Sequence, residues 1–326
     1  MTKHITYFDF LRGIAILMVV GIHTFPSASW DKLNDVLLIV IRQLLNCAVP
    51  IFLAISAFFI ANKKFETFTD VKAFWKKQIP KVYIPCLVWS IPYLVLDICS
   101  GSNLLKSGIN FFFCGYSIYY FIALIIQFYL LTPLLVKINN FFWGVVLSLI
   151  SILSISLYVY SELQLPLILY AGPFLVWIMF YIQGVFMSRM KRNYSSWGLL
   201  LLLILCFLLQ IYESKNLFEL NGRGMGIKAT AYLYSSVAIF LLFSQKLQNL
   251  YQTKTNLIFR TIEYIGRISF SIYLIHMFVI LLVNRYMEMH NWILNWSVIL
   301  VLTILIIKML KIFLPTRFAG RYLGIL

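Results

Sequence analysis

The chain has 326 residues, 62% of them hydrophobic, with a mean hydropathy of +0.89 and a formal net charge of +16. That composition excludes an ordinary soluble domain, which runs about 45–50% apolar. Long apolar runs also exclude a β-barrel, whose strands alternate in short segments. The positive charge does not point to nucleic acid, because the basic residues gather in short loops between apolar runs, where a membrane surface explains them.

The pattern predicts an all-α polytopic membrane protein of about ten transmembrane helices, organised as a single domain over residues 1–326. The spans fall roughly at 6–25, 37–61, 79–99, 117–136, 141–160, 166–187, 196–213, 228–244, 267–284 and 292–313, most of them near the twenty residues that a bilayer core requires. The first run is long, lacks a small-residue cleavage site and carries charges, so no cleavable signal peptide is expected. In the second span Pro50 predicts a kink or break, and Arg42 and Gln43 fall inside the apolar run. The loop KKFETFTDVKAFWKK reads as an amphipathic segment on the membrane surface. Span three carries Pro80, Pro85 and Pro92 and is not expected to be a straight rod. Residues 100–116 read as an outside loop, and ESKNLFELNGRGMGIK (213–228) as the longest polar outside loop, with a turn at Gly222-Arg223-Gly224. With the N-terminus in the cytoplasm, nineteen basic residues lie inside against six outside, so both termini are placed in the cytoplasm. Cys47, Cys86, Cys99, Cys114 and Cys206 have no metal-like spacing and read as buried thiols; no metal site is expected.

The chemistry concentrates in YFDFLRGIAILMVVGIHT (7–24). Arg12 and His23 are eleven residues apart, which returns them to nearly one helical face, about 16 Å apart along the axis. Asp9, three residues before Arg12, is placed to pair with it. Ionisable groups inside a span are costly unless they face a partner or a wet cavity. Histidine suits proton transfer near neutral pH. Two readings stand side by side: a functional stripe, or a structural Asp9–Arg12 pair with a histidine satisfied in a helix contact. In the ninth span Ser269, Tyr273 and His276 share one face, as cavity lining or as interhelical hydrogen bonders. Gln127 and Tyr129 are weaker candidates for cavity lining, His4 and His290 are assigned no role, and the tryptophans mostly mark span ends.

FDFLRGIAILMVVGIHT resembles the opening of the acyltransferase-3 family of integral-membrane acyltransferases, marked by an arginine, ten residues, then a histidine. VPIFLAISAFFI (49–60), YYFIALIIQFYLLTPLL (119–135) and IGRISFSIYLIHMFV (265–279) are similar to further segments of that family. Ser56-Ala57-Phe58 stands where the family usually has Ser-Gly-Phe. Lys76-Lys77-Gln78-Ile79-Pro80-Lys81 replaces an arginine cluster, keeping the charge but losing the bidentate grip on phosphate. The resemblance implies a multi-pass protein of the bacterial inner (cytoplasmic) membrane that modifies cell-envelope polysaccharide. It implies a CoA thioester donor, usually acetyl-CoA, bound from the cytoplasm, and an acceptor on the far side. Many relatives carry an extra extracytoplasmic domain; here transfer is expected to be completed by the membrane part.

On that basis His23 is the expected general base and Arg12 a donor-binding or cavity-organising cation. Lys76, Lys77 and Lys81 would hold donor phosphates or, alternatively, lipid headgroups, and Asp9, Ser269, Tyr273 and His276 would line the substrate side. The expected reaction is acetyl transfer to a hydroxyl of a cell-surface glycan or lipid-linked sugar. Acyl transfer to a lipid, amine or small metabolite is the nearest rival. A transporter or flippase with Arg12, Arg42 and His23 along its path is the rival from another class, although no internal repeat is visible.

Overall fold

The computed structural model describes residues 6–161, 163–192, 194, 196–253, 256–287, 289 and 291–325. Lys3 and Lys254, counted among the basic residues above, and His4 and His290 lie outside them. The chain runs α1 (Thr6–His23), α2 (Leu33–Leu44), a 3-10 turn (Leu45–Cys47), α3 (Ala48–Ile60), α4 (Phe68–Cys99), α5 (Leu104–Phe112), a second 3-10 turn (Ser117–Tyr119), α6 (Tyr120–Leu135), α7 (Phe141–Val159) and α8 (Leu167–Tyr170). It continues through α9 (Phe174–Arg189), α10 (Ser196–Asn221), α11 (Ala229–Leu242), α12 (Gln245–Thr253), α13 (Leu257–Arg267), α14 (Ser269–Tyr286), α15 (Trp292–Phe313) and α16 (Thr316–Tyr322). No strand occurs among the described residues.

Eight segments are long and apolar enough to cross a membrane, and α9 and α11 are shorter apolar helices. Together they coincide with the ten expected spans. The protein is an all-α polytopic membrane protein.

Five local expectations change. The break in the second span comes before Pro50, at the 3-10 turn, and leaves Pro50 in the first turn of α3. There a proline has no intrahelical N–H bond to lose. The surface segment before span three is not separate: α4 runs unbroken from Phe68, with a capping box between Thr67 and Asp70. Residues 100–116, read as a loop, contain α5. The polar stretch after Glu213 is helical as far as Asn221, because Glu213, Ser214 and Leu217 turn one buried face inward. The expected turn follows at once, with Gly222 at φ 75°. Cys99 is exposed at the end of α4, while the other four cysteines are buried.

The chain divides into two compact units. The first comprises Met1–Asn62, Ile138–Gln164 and Leu175–Arg267. In it α1 packs against α3 and α13. Phe8 sits among Phe58, Phe59 and Phe243 with ring centroids 4.7–5.2 Å away, and Tyr7 Oη donates to Leu242 O at 2.6 Å. The second comprises Lys63–Lys137, Leu165–Phe174 and Ile268–Leu326. Its α4 packs against α5, α6, α14 and α16, with Trp89 Nε1 donating to Leu323 O at 3.1 Å and Trp75 Nε1 to Tyr129 O at 3.0 Å.

Candidate active site

The polar stripe of α1 takes its position from a close helix crossing. Gly13 and Gly266 let α1 and α13 meet backbone to backbone: a Cβ on Gly266 would run into the Asp9 carbonyl oxygen, and one on Gly13 into that of Ile262. This approach puts Arg267, at the end of α13, beside the start of α1. Asp9 Oδ1 accepts from Arg12 Nη1 at 2.9 Å, and Asp9 Oδ2 lies 3.7 Å from Arg267 Nε. Arg267 also pairs with Glu263 one turn back on α13. The Arg12 guanidinium carbon lies 5.4 Å from the Phe59 ring centroid. The Asp9 side chain is 4% exposed, Arg12 34% and Arg267 54%. The carboxylate is therefore buried while both cations still reach solvent.

Tyr251 on α12 donates to Glu263 Oε2 at 3.1 Å. Burial, and then the Glu263 carboxylate, push its hydroxyl up to about 12, so it stays a donor throughout the physiological range. Alongside, Arg260, Glu263, Tyr264 and Arg267 line an open groove of about 340 Å³.

His23, half-buried, is the last residue of α1, on the same stripe as Arg12 and at its opposite end. The expected pairing of Asp9 with Arg12 is present. The part played by α13 was missed: Arg267 had been counted only as a loop charge, and Glu263 and Gly266 had no assigned role. The available signal was the small, charged start of IGRISFSIYLIHMFV.

The other expected site residues belong to the second unit. Lys76, Lys77 and Lys81 are exposed on α4. Ser269, Tyr273 and His276 are buried on α14. Tyr273 Oη donates to Ile118 O, so this hydroxyl holds α14 to the turn before α6. His276 Nδ1 lies 3.0 Å from Ile272 O and 2.9 Å from Tyr273 O. Facing two carbonyl acceptors, Nδ1 must carry the proton, which in the neutral ring leaves the lone pair on Nε2. Gln127 bridges Gly172 O (2.9 Å) and Phe174 N (3.1 Å), tying α6 to the α8–α9 connection. Among the described residues no group of three His, Cys, Asp or Glu side chains is arranged to hold a metal ion.

A second polar cluster, on α2, α10 and α11 of the first unit, had no place in the sequence reading beyond Arg42 and Gln43. Gln43 is fully buried; its side chain donates to Ser214 Oγ (3.0 Å) and accepts from Lys228 Nζ (2.7 Å), Asn46 Nδ2 (3.0 Å) and Gln210 Nε2 (3.1 Å). Lys228 also donates to Gly224 O at 3.0 Å and Gly226 O at 3.3 Å, so its three N–H groups are all used. Glu213 accepts from Tyr160 Oη (3.0 Å), Thr230 N (2.9 Å) and Thr230 Oγ1.

A family model described as an acyltransferase domain, that of the acyltransferase-3 family, matches residues 5–310. No curated protein and no solved structure matches the chain. The matched stretch takes in the α1 stripe, the α13 crossing and the apolar helices up to residue 310 within α15: this chain belongs to the acyltransferase-3 family and is an integral-membrane acyltransferase.

Proposed function

We propose that the protein is an acyl-CoA-dependent O-acyltransferase, moving an acetyl group from a cytoplasmic CoA thioester to a hydroxyl of a cell-surface glycan or lipid-linked sugar. The observation that carries this reading is the division of labour along α1. A half-solvated cation cluster stands at the Asp9 end and a half-buried imidazole at the other, on one stripe. The distribution of basic loops puts the Asp9 end in the cytoplasm.

Arg12, with Arg260 and Arg267 on α13, offers cations to the donor's phosphates; Lys76, Lys77 and Lys81, exposed on α4 of the second unit, are separate candidates for phosphate or lipid headgroups. The extended thiol arm then runs along the stripe and brings the thioester toward His23. Neutral His23 takes the proton of the acceptor hydroxyl as its oxygen attacks the thioester carbonyl. The tetrahedral intermediate collapses with cleavage of the C–S bond, and the imidazolium returns the proton to the departing thiolate, releasing free CoA and the acetyl ester. Asp9 fixes Arg12 rather than touching substrate. On α14, Tyr273 is occupied by Ile118, which favours packing for the Ser269–Tyr273–His276 face over a place in the chemistry.

The test is His23→Ala in purified protein, with acetyl-CoA binding measured by calorimetry and thiol release measured separately. Loss of a general base lowers the rate by about 10²–10⁴, so turnover should collapse while donor affinity stays close to wild type. His276→Ala should act far more weakly. Near-normal turnover in His23→Ala with loss in His276→Ala would move the base to α14. A wild-type protein that never releases thiol from acetyl-CoA would sink the enzyme reading in favour of transport.

A further inference from the structure

Arg42 is 7% exposed, and among the described residues only one of its five N–H donors is taken: Nη1 donates to Asn46 Oδ1 at 2.8 Å. No carboxylate among the described residues forms an ion pair with it. Glu213, the buried acid of the same polar cluster, spends its oxygens on Tyr160 and Thr230. The guanidinium is nonetheless aimed. Asn46 is held by Gln43, and Gln43 in turn by Gln210, Ser214 and Lys228, so the acceptor that orients Arg42 cannot swing away. A cation fixed by neutral groups keeps its whole charge for a ligand.

The level of Arg42 in the fold also matters. The chain reverses between α1 and α2, and Cys47 Sγ meets Met18 Sδ at 3.9 Å. His23 lies five residues beyond Met18 and Arg42 five residues before Cys47. At about 1.5–2 Å per residue, both stand some 8–9 Å from that contact in the same direction. Arg42 therefore occupies the layer of His23, at the end of α1 away from the Asp9 cluster.

We infer that Arg42 forms an oxyanion-binding subsite for the acyl acceptor, so that the acceptor carries an anionic group, a sugar carboxylate or a lipid-linked phosphate, close to the hydroxyl that is acylated. The inference rests on the acyltransferase reading proposed above and narrows its acceptor. Asn46 is a positioning residue here, setting the plane of the guanidinium, whose fork can hold two oxygens of one anion.

The experiment is equilibrium binding to the purified full chain in nanodiscs, without acetyl-CoA, using two matched pairs of probes. One pair is octyl glucuronide and octyl glucoside; the other is farnesyl diphosphate and farnesol. Wild type should prefer one anionic probe over its neutral partner by about tenfold or more, the range of a charge-assisted hydrogen bond. The pair that shows the preference identifies the carboxylate or the phosphate. Arg42→Gln should abolish the preference and leave neutral binding unchanged, and Arg42→Lys, which keeps charge but not the fork, should retain only part of it. If Arg42→Gln does not fold, Arg42→Lys and Asn46→Ala decide the matter by the same ratio. Equal binding of charged and neutral probes by wild type, or an undiminished preference in the variants, would overturn the subsite. Preference for an anion in a protein that releases no thiol from acetyl-CoA would refute the acyl-CoA reading and uphold the subsite.

Discussion

The two ends of the polar structure in the first unit solve the problem of charge in a membrane in opposite ways. Around Asp9 each acid meets a cation: Asp9 faces Arg12 and Arg267, and Glu263 faces Arg267. Those cations stay one-third to one-half exposed, so water shares the cost of their charge. Around Gln43 the polar groups are buried, the two cations are met by amides and carbonyls, and the single carboxylate is engaged elsewhere. The first arrangement is stable alone and can take on a further anion at its wet edge. The second is neutral in its hydrogen bonds but not in its charge. Arg42, which no carboxylate among the described residues pairs with, is the charge we infer to be held for the acceptor.

The largest effect is expected where the first arrangement depends on backbone. Gly266→Ala would push a methyl group into the Asp9 carbonyl oxygen and part α1 from α13. Overpacking a tight contact costs about 1–3 kcal/mol and occasionally more; with backbone as the obstacle the upper end or beyond is expected. The check is the thermal midpoint in detergent. An unchanged midpoint would mean that the crossing is loose and that Arg267 does not reach Asp9 through it.

Next comes a contrast within the second arrangement. Lys228→Met takes its donor from the Gly226 carbonyl and one donor each from Gln43 Oε1 and Gly224 O, which keep Asn46, Gln210 and Ser214, so a loss of about 1–3 kcal/mol is expected. Arg42→Met removes a buried cation that has no ionic partner among the described residues, where it frees only Asn46 Oδ1. Replacing buried charge with an apolar side chain of similar volume is often neutral or stabilising. Unfolding midpoints should therefore fall for Lys228→Met and hold or rise for Arg42→Met. A large fall for Arg42→Met would make it a structural residue and erase the distinction drawn between the two ends.

A smaller effect returns to the paired end. Arg12→Gln deprives the buried Asp9 of its 2.9 Å partner but leaves Arg267 at 3.7 Å, so a destabilisation of about 1–2 kcal/mol is expected. Asp9→Asn combined with Arg12→Gln should recover part of it, because the buried charge is then gone. If the double variant is as damaged as the two single ones added together, the pair is not coupled.

The eight spanning segments and the two shorter apolar helices were legible because an apolar run of bilayer length can only be satisfied as a helix. The Asp9–Arg12 pair was legible because both residues lie on one helix at a spacing that local geometry governs. What escaped was brought together by packing. Arg267 meets Asp9 across more than two hundred residues of chain, through two glycines that sequence marks only as small. Glu213, Ser214 and Leu217 turn one face into the unit, yet the polar residues around them read as a loop. Lys228 entered the charge count as a loop cation, whereas the structure seals it with carbonyls from the very turn that follows α10. Arg42 was visible as a charge in an apolar run, but its lack of an acidic partner could be seen only once its neighbours were in place.

The least effect is expected from Lys76, Lys77 and Lys81, which are exposed on α4. Long, solvated side chains screened by salt contribute little individually. Replacing all three with Gln should raise the KM for acetyl-CoA by about threefold at low salt, with kcat unchanged, if they help gather the donor's phosphates. Since the Debye length falls to about 3 Å at 1 M salt, the difference from wild type should disappear there. If they hold lipid headgroups instead, the KM will not move, and the variant will differ from wild type only in its dependence on anionic lipid in the nanodisc. A triple variant that loses donor binding outright would place the principal phosphate grip on α4 rather than at the Arg12–Arg267 end of α1. The paired cluster would then be scaffold.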